Sequence, residues 1–254
     1  MNNEQKTAEF YDDFWPANVP NLTITKQYLS TLLPKDQYFE NGLDAGCGTG
    51  VTSIALSEKC KNLWAIDISK KSLAFAKKLA NKHQKININF KVASVVKLPF
   101  KNANFDLVFC WGVIHHTINP SLAISELCRV LKNSGVLVIA AYQKTWLTPF
   151  YELIRIICIN LPKWGQTLML NFLILIVKIF TKLFVSQTPK RADSTIKALV
   201  KDWFFVPQKY FFTKEELKEI LRKHQIDFKI VEEYNGRFKS TSNIVFVGKK
   251  TQII

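Results

Sequence analysis

The sequence predicts an α/β fold with a mostly parallel sheet and helices on both faces. Three observations carry that prediction. Between residues 41 and 142, short apolar runs alternate with amphipathic stretches, the rhythm of βαβ units. The first run ends in a glycine-rich turn, Gly46-Cys47-Gly48-Thr49-Gly50, with helix-forming residues beyond it. The second run, Leu63-Trp64-Ala65-Ile66, ends in an acid, Asp67.

Strands are expected at Leu43–Ala45, Leu63–Asp67, Ile88–Val92, Phe105–Cys110 and Val136–Ala141. Helices fit between them. Ser69 caps one whose apolar stripe is Leu73, Ala76, Leu79 and Ala80. Asn119-Pro120 starts another, with Leu122, Leu127, Val130 and Leu131 inward and a stop at Asn133–Gly135. Thr213-Lys-Glu-Glu216 reads as a capping box opening a helix with Leu217, Ile220 and Leu221 inward. Ile226–Val231 and Asn243–Gly248 then form a final hairpin, giving the sheet an antiparallel edge.

This rhythm divides the chain into four zones. Residues 1–40 are an aromatic-containing lead-in with Pro16, Pro20 and Pro34 as breakers. Residues 41–142 are the α/β core, 143–211 an apolar, basic helical insertion after strand five, and 212–254 the C-terminal part of the core. The 254 residues suffice for one such domain with a cap, and 48% hydrophobic against 22% charged residues excludes a disordered chain. Five cysteines without CxxC or Cys/His ligand spacing read as reduced, buried thiols in the cytoplasm, with no metal site expected. Met1–Phe14 is polar and acidic, unlike a secretory signal.

The glycine-rich turn is the strongest chemical signal. Glycines permit positive φ and close approach of backbone to a ligand, and the helix beyond offers free N–H groups. Such a loop suits a nucleotide-like cofactor. A dinucleotide fingerprint, GxGxxG, would place its third glycine at Val51. A phosphate-binding P-loop would need a Lys before Thr52 or Ser53. Asp67 lies about 20 residues beyond Gly46, where an acid at a strand end accepts hydrogen bonds from ribose hydroxyls.

Asp44-Ala45-Gly46-Cys47-Gly48-Thr49-Gly50 resembles motif I of the class I S-adenosylmethionine-dependent methyltransferases. Leu98-Pro99-Phe100 with Phe105-Asp106-Leu107-Val108, then Val113-Ile114-His115-His116, then Glu126–Lys132, resemble the same family in the same order. The likeness covers about 100 residues, Leu43 to Ala141, and is similar to the subgroup of small-molecule, quinone and sterol-like methyltransferases. It implies a Rossmann-like sheet and S-adenosylmethionine as cofactor. It implies cofactor contact from Asp44, Ala45, Gly46, Cys47, Gly48, Gly50, Asp67, Ile68 on the adenine face, Val95, and Cys110 and Trp111 at the end of strand four. One departure stands out. The family carries an Asp about four residues before its Leu-Pro, accepting from the adenine amino group, and here that residue is Ser94. Phe10–Trp15 resembles an aromatic helix that lids the cofactor, with Tyr11 over the methionine end; packing on the core is an equal reading.

His115 and His116, after strand four, are the candidates for a catalytic base, with a loop-shaping role as the alternative. In Trp146–Val185, the uncharged stretch Gly165–Val177 is shorter than the roughly 20 residues that span a bilayer. Lys163, Lys178 and Lys182 bound it, and Lys190 and Arg191 follow. It reads either as a cap over an acceptor pocket or as an interfacial element touching an anionic membrane. Either favours a bulky, lipophilic acceptor. Two rival functions are a non-catalytic, membrane-docking module, supported by Ser94, and an RNA methyltransferase, supported by a net charge of +15. Against RNA, the basic residues are dispersed and no recognition module occurs.

Overall fold

In a computed structural model of the chain, the described residues are 3–14, 19–184, 193–232 and 243–251. Trp15, Pro16, Val185, Lys190 and Arg191, which belong to the segments read above, lie outside them. The chain divides into two compact units, Met1–Lys144 with Gln208–Ile254, and Thr145–Pro207.

The first unit is built on a seven-stranded sheet in the order β3-β2-β1-β4-β5-β7-β6. Its strands are β1 (Phe39–Ala45), β2 (Cys60–Asp67), β3 (Ile88–Val92), β4 (Phe105–Trp111), β5 (Leu131–Tyr142), β6 (Ile226–Glu232) and β7 (Asn243–Lys250). β1 to β5 pair in parallel, and β7 runs antiparallel to both β5 and β6. Because β1 has β2 on one side and β4 on the other, the winding reverses there. A crevice opens outside the C-terminal ends of β1 and β4.

Side-chain alternation along the strands produces two cores. On one face Leu43, Val108, Cys110, Leu137 and Ile139 meet Ala123 and Leu127 of α5 (Pro120–Val130) and Leu217 and Leu221 of α9 (Lys214–Lys223). On the other Leu63, Leu107, Phe109 and Val138 meet Leu29 and Leu32 of α2 (Leu22–Leu32) and Leu56 of α3 (Val51–Leu56). Between β2 and β3 runs α4 (Lys70–Lys82), capped by the Ser69 side chain, which accepts from the Ser72 N–H. The Thr213–Glu216 capping box is formed at α9.

Three expectations need correction. β1 starts at Phe39, not Leu43; the polar Glu40-Asn41-Gly42 conceal a strand whose first residue is buried and bonds to the Lys59 carbonyl at 2.8 Å. Leu131 is buried, but as the first residue of β5 rather than in the helix. Leu122 is 44% exposed, because Ala123 and Ile124 form the inward face at that turn.

The second unit contains α6 (Thr148–Asn160), α7 (Lys163–Phe184) and α8 (Asp193–Phe204), packed around Cys158, Leu173, Ile196 and Val200. Buried Arg155 pairs with Glu152 at 2.9 Å and donates to the carbonyls of Val206 and Pro207, tying the end of the unit to α6. α7 has 22 residues, well beyond the uncharged stretch that predicts it. At 1.5 Å per residue it is about 33 Å long, so by length and composition Lys163–Phe180 can cross a bilayer. The uncharged stretch Gly165–Val177 remains shorter than a span; the longer window includes Lys163 and Lys178.

Candidate active site

The loop after β1 is held from below. Gly46 and Cys47 donate their N–H groups to the Ile66 carbonyl at 2.8 and 2.9 Å, fastening the loop to the end of β2. Gly46 has φ +86°, and a Cβ there would lie 2.2 Å from Val113 Cγ2, so only glycine fits. Gly50 (φ +79°) starts α3 against Ala76 of α4. Asp44 lies beneath the loop, buried, with Ser53 Oγ donating to its Oδ2 at 2.6 Å. Burial pushes the Asp44 carboxyl up to about 7, against the Ser53 hydrogen bond and with help from the Asp67 charge.

Over the C-terminal ends of β1, β2 and β4 lies a cleft whose empty space, counting its solvent-open mouth, is about 670 Å³. Asp67 and Ile68 line it from the end of β2, Ala93–Val95 from beyond β3, and Trp111–Val113 and His116–Ile118 from beyond β4. Gly46 forms its floor, and Glu4, Thr7 and Tyr11 of α1 (Asn3–Phe14) enclose it. Asp67 Oδ2 accepts from the Gly48 N–H at 2.9 Å and Oδ1 from the Ser69 N–H at 2.8 Å. Burial raises its pKa, and the backbone hydrogen bonds oppose that.

α1 is seated by Asp12, which accepts from Ser69 Oγ at 2.5 Å and from the Lys71 N–H at 3.3 Å, an acid at the N-terminus of α4. Along α1 the spacing 4, 7, 11 puts Glu4, Thr7 and Tyr11 on one face. Ser94 donates its hydroxyl to the Glu4 carboxylate. A carboxylate therefore stands beside position 94 after all, delivered by a different element.

The two histidines part company. His116 lines the cavity, with its ring edge-on to Tyr11 at 5.6 Å. Its Nδ1 donates to the Gln208 carbonyl at 2.9 Å, since a carbonyl can only accept, and the ring's basic lone pair is then on Nε2. His115 is buried away from the cavity. Its Nδ1 accepts from the Tyr142 N–H at 3.3 Å, which leaves the proton on Nε2, buried without a partner. Burial, then the neighbouring His116 and Lys209, push its pKa well below the usual imidazole value.

Of the residues singled out from the sequence, the structure brings Tyr11, Gly46, Asp67, Ile68, Ser94, Val95, Trp111 and His116 to one cavity. Ala45, Cys47 and Cys110 are buried in the core, and Asp44, Gly48, Gly50 and His115 are likewise not among the lining residues. For Asp44 and His115 the reason is direction: strand alternation and the turn after β4 point them into the protein. Sequence reasoning missed Glu4, Thr7, Ala93, Gly112, Val113, Thr117 and Ile118. Helical spacing from Tyr11 could have found the first two. It also missed that Gln208–Phe212 anchors the histidine turn, through Gln208 to His116 and the Tyr210 N–H to the His115 carbonyl at 2.8 Å.

A glycine loop, an acid at the end of the second strand and a cavity at the winding switch define a nucleotide-cofactor site of Rossmann-like type. Residues 43–139 match the family described as Methyltransferase domain. The chain is 31% identical over 149 residues to an uncharacterised protein of Methanocaldococcus jannaschii, spanning 55% of this chain and 62% of that one. It is 35% identical over 103 residues to the ubiquinone biosynthesis O-methyltransferase of Pelagibacter ubique, 41% of this chain and 42% of that one. These curated relatives are thus matched over less than two thirds of their length. The solved structure of YcgJ from Bacillus subtilis has the same fold, with TM-score 0.61 at 15% identity over 91% of this chain and 100% of that one. Residues 43–139 are thus a methyltransferase domain on a Rossmann-like fold, and S-adenosylmethionine is the cofactor that this domain and fold support.

Proposed function

We propose that the protein transfers a methyl group from S-adenosylmethionine to a bulky or lipophilic small molecule. The observation that carries this reading is the single cavity in which Asp67, Ile68, the Glu4–Ser94 pair and His116 converge. Bound there, the cofactor supplies a sulfonium-activated methyl, the reactive part of the chemistry.

The residues of this chain hold and orient. Asp67, its backbone donors already in place, accepts from the ribose hydroxyls; Ile68 packs on the adenine face. Glu4, steadied by Ser94, accepts from the adenine amino group. Tyr11 and Thr7 close the cavity and exclude water, and His116 presents Nε2 for an acceptor's proton. The apolar wall of Val113, Ile118 and Trp111 supports an apolar acceptor.

Calorimetric titration of S-adenosylhomocysteine tests the reading. Binding to the wild type that Asp67→Ala weakens at least tenfold is expected. A well-folded wild type that binds none would refute it.

A further inference from the structure

We infer that the second unit docks the protein on an anionic membrane surface, with α7 lying in the plane of the interface. The inference goes beyond the methyltransferase reading and stands without it.

Among the described residues, large apolar side chains are exposed chiefly here. Trp146 (78%), Phe150 (64%), Trp164 (70%) and Leu168 (62%) are largely exposed, and Leu153, Phe172 and Leu175 are over half exposed. Leaving so much apolar surface in water is costly at about 25 cal/mol per Å², and contiguous exposed apolar patches mark binding faces. A soluble core helix does not explain α7, since only 6% of Lys163–Phe180 is buried.

The stripes on α7 say how it meets its partner. Met169, Leu170, Leu173 and Val177 face the core of the unit. Trp164, Leu168, Phe172, Leu175 and Ile179 follow at helical spacing on the exposed side. Thr167, Asn171, Lys178 and Lys182, spaced i, i+4, i+11 and i+15, form a third, polar stripe along the flank. A spanning helix would put that polar stripe and the Lys-bearing α8 in hydrocarbon. An in-plane helix instead sinks its apolar stripe and lets the lysines snorkel to the headgroups. Two tryptophans at the starts of the helices suit the polar–apolar boundary. Charge selects the lipid: the unit carries Lys163, Lys178, Lys182, Lys197 and Lys201 in a chain of net charge +15.

Flotation of the full-length protein with phosphatidylcholine vesicles, with and without 30% phosphatidylglycerol, tests this. Expected are binding to the anionic vesicles, weakening as salt rises, and release by alkaline carbonate. Leu168→Glu with Leu175→Glu should lower partitioning by at least tenfold, and Lys182→Glu by about thirtyfold, from roughly 1 kcal/mol per basic residue with the sign reversed. Unchanged S-adenosylhomocysteine affinity and melting temperature in these variants would show that they fold. Failure to bind anionic vesicles, binding that the apolar substitutions leave intact, or retention after carbonate extraction would each overturn the inference. The last result would make α7 a spanning helix. A stable dimer with no vesicle binding would assign the face to a second copy of the chain.

Discussion

Replacing Glu4 by Gln keeps the shape of the side chain and removes its charge. In the structure Glu4 is half-buried, receives the Ser94 hydroxyl, and borders the same cavity as Asp67 and Ile68. A hydrogen bond from an amino group to a carboxylate contributes about 1.5–3 kcal/mol, against about 1 for a neutral acceptor. Partial exposure screens that difference, so the lower half of the gap applies, about 1 kcal/mol. At 1.4 kcal/mol per decade this weakens S-adenosylhomocysteine binding by about fivefold. Moving the carboxylate back to the loop, with Ser94→Asp added to Glu4→Gln, should restore most of it, since the two side chains are in contact. Calorimetry reads both. The control is a homocysteine conjugate of inosine, whose purine lacks the amino group. The wild type should prefer the adenosine compound, and Glu4→Gln should narrow that preference. If Glu4→Gln binds the adenosine compound as the wild type does, and discriminates as well, the carboxylate has no part in adenine recognition. The methyltransferase reading would survive that result, because Asp67→Ala tests it separately.

His116→Gln should lower kcat about a hundredfold against an oxygen or nitrogen acceptor while leaving S-adenosylhomocysteine affinity within threefold; an unchanged kcat would reduce the ring to shaping the cavity. Asp44 predicts a pH dependence of stability. Its carboxyl is pushed up from 3.8 to about 7, so between those values the folded chain binds more protons than the unfolded one. The contribution to stability is then full below pH 3.8, declines as pH rises toward 7, and is flat above. Asp44→Asn should flatten that decline in urea titrations at pH 4 to 8, with most of its stabilising effect at the alkaline end; an unchanged slope would show that Asp44 stays ionised.

The legible parts of this molecule are those where one element decides the outcome. β2 to β4 announce themselves by apolar runs, and the turn after β1 by glycines whose positive φ or crowding leaves no other choice. Asp67 was readable because a strand end fixes where its side chain goes. The illegible parts depend on two elements meeting. His115 and His116 are adjacent in sequence and chemically alike. The turn Ile114–His116 and the strap Gln208–Phe212 send one ring to the cavity and the other to the core. No local pattern encodes that split. Position 94 shows the same limit from the opposite side. Read alone, Ser94 for the family's Asp signals a lost contact and favours a non-catalytic domain. Read with α1 in place, the serine becomes the donor that seats a carboxylate 90 residues away in sequence. An acceptor counted missing from a motif is a statement about one strand, whereas the cavity is lined from β2, the loop after β3 and α1 together. Since α1 is held through Asp12 on the first turn of α4, the adenine contact proposed for Glu4 would make cofactor affinity depend on the seating of that helix, which a carboxylate on the loop would not do.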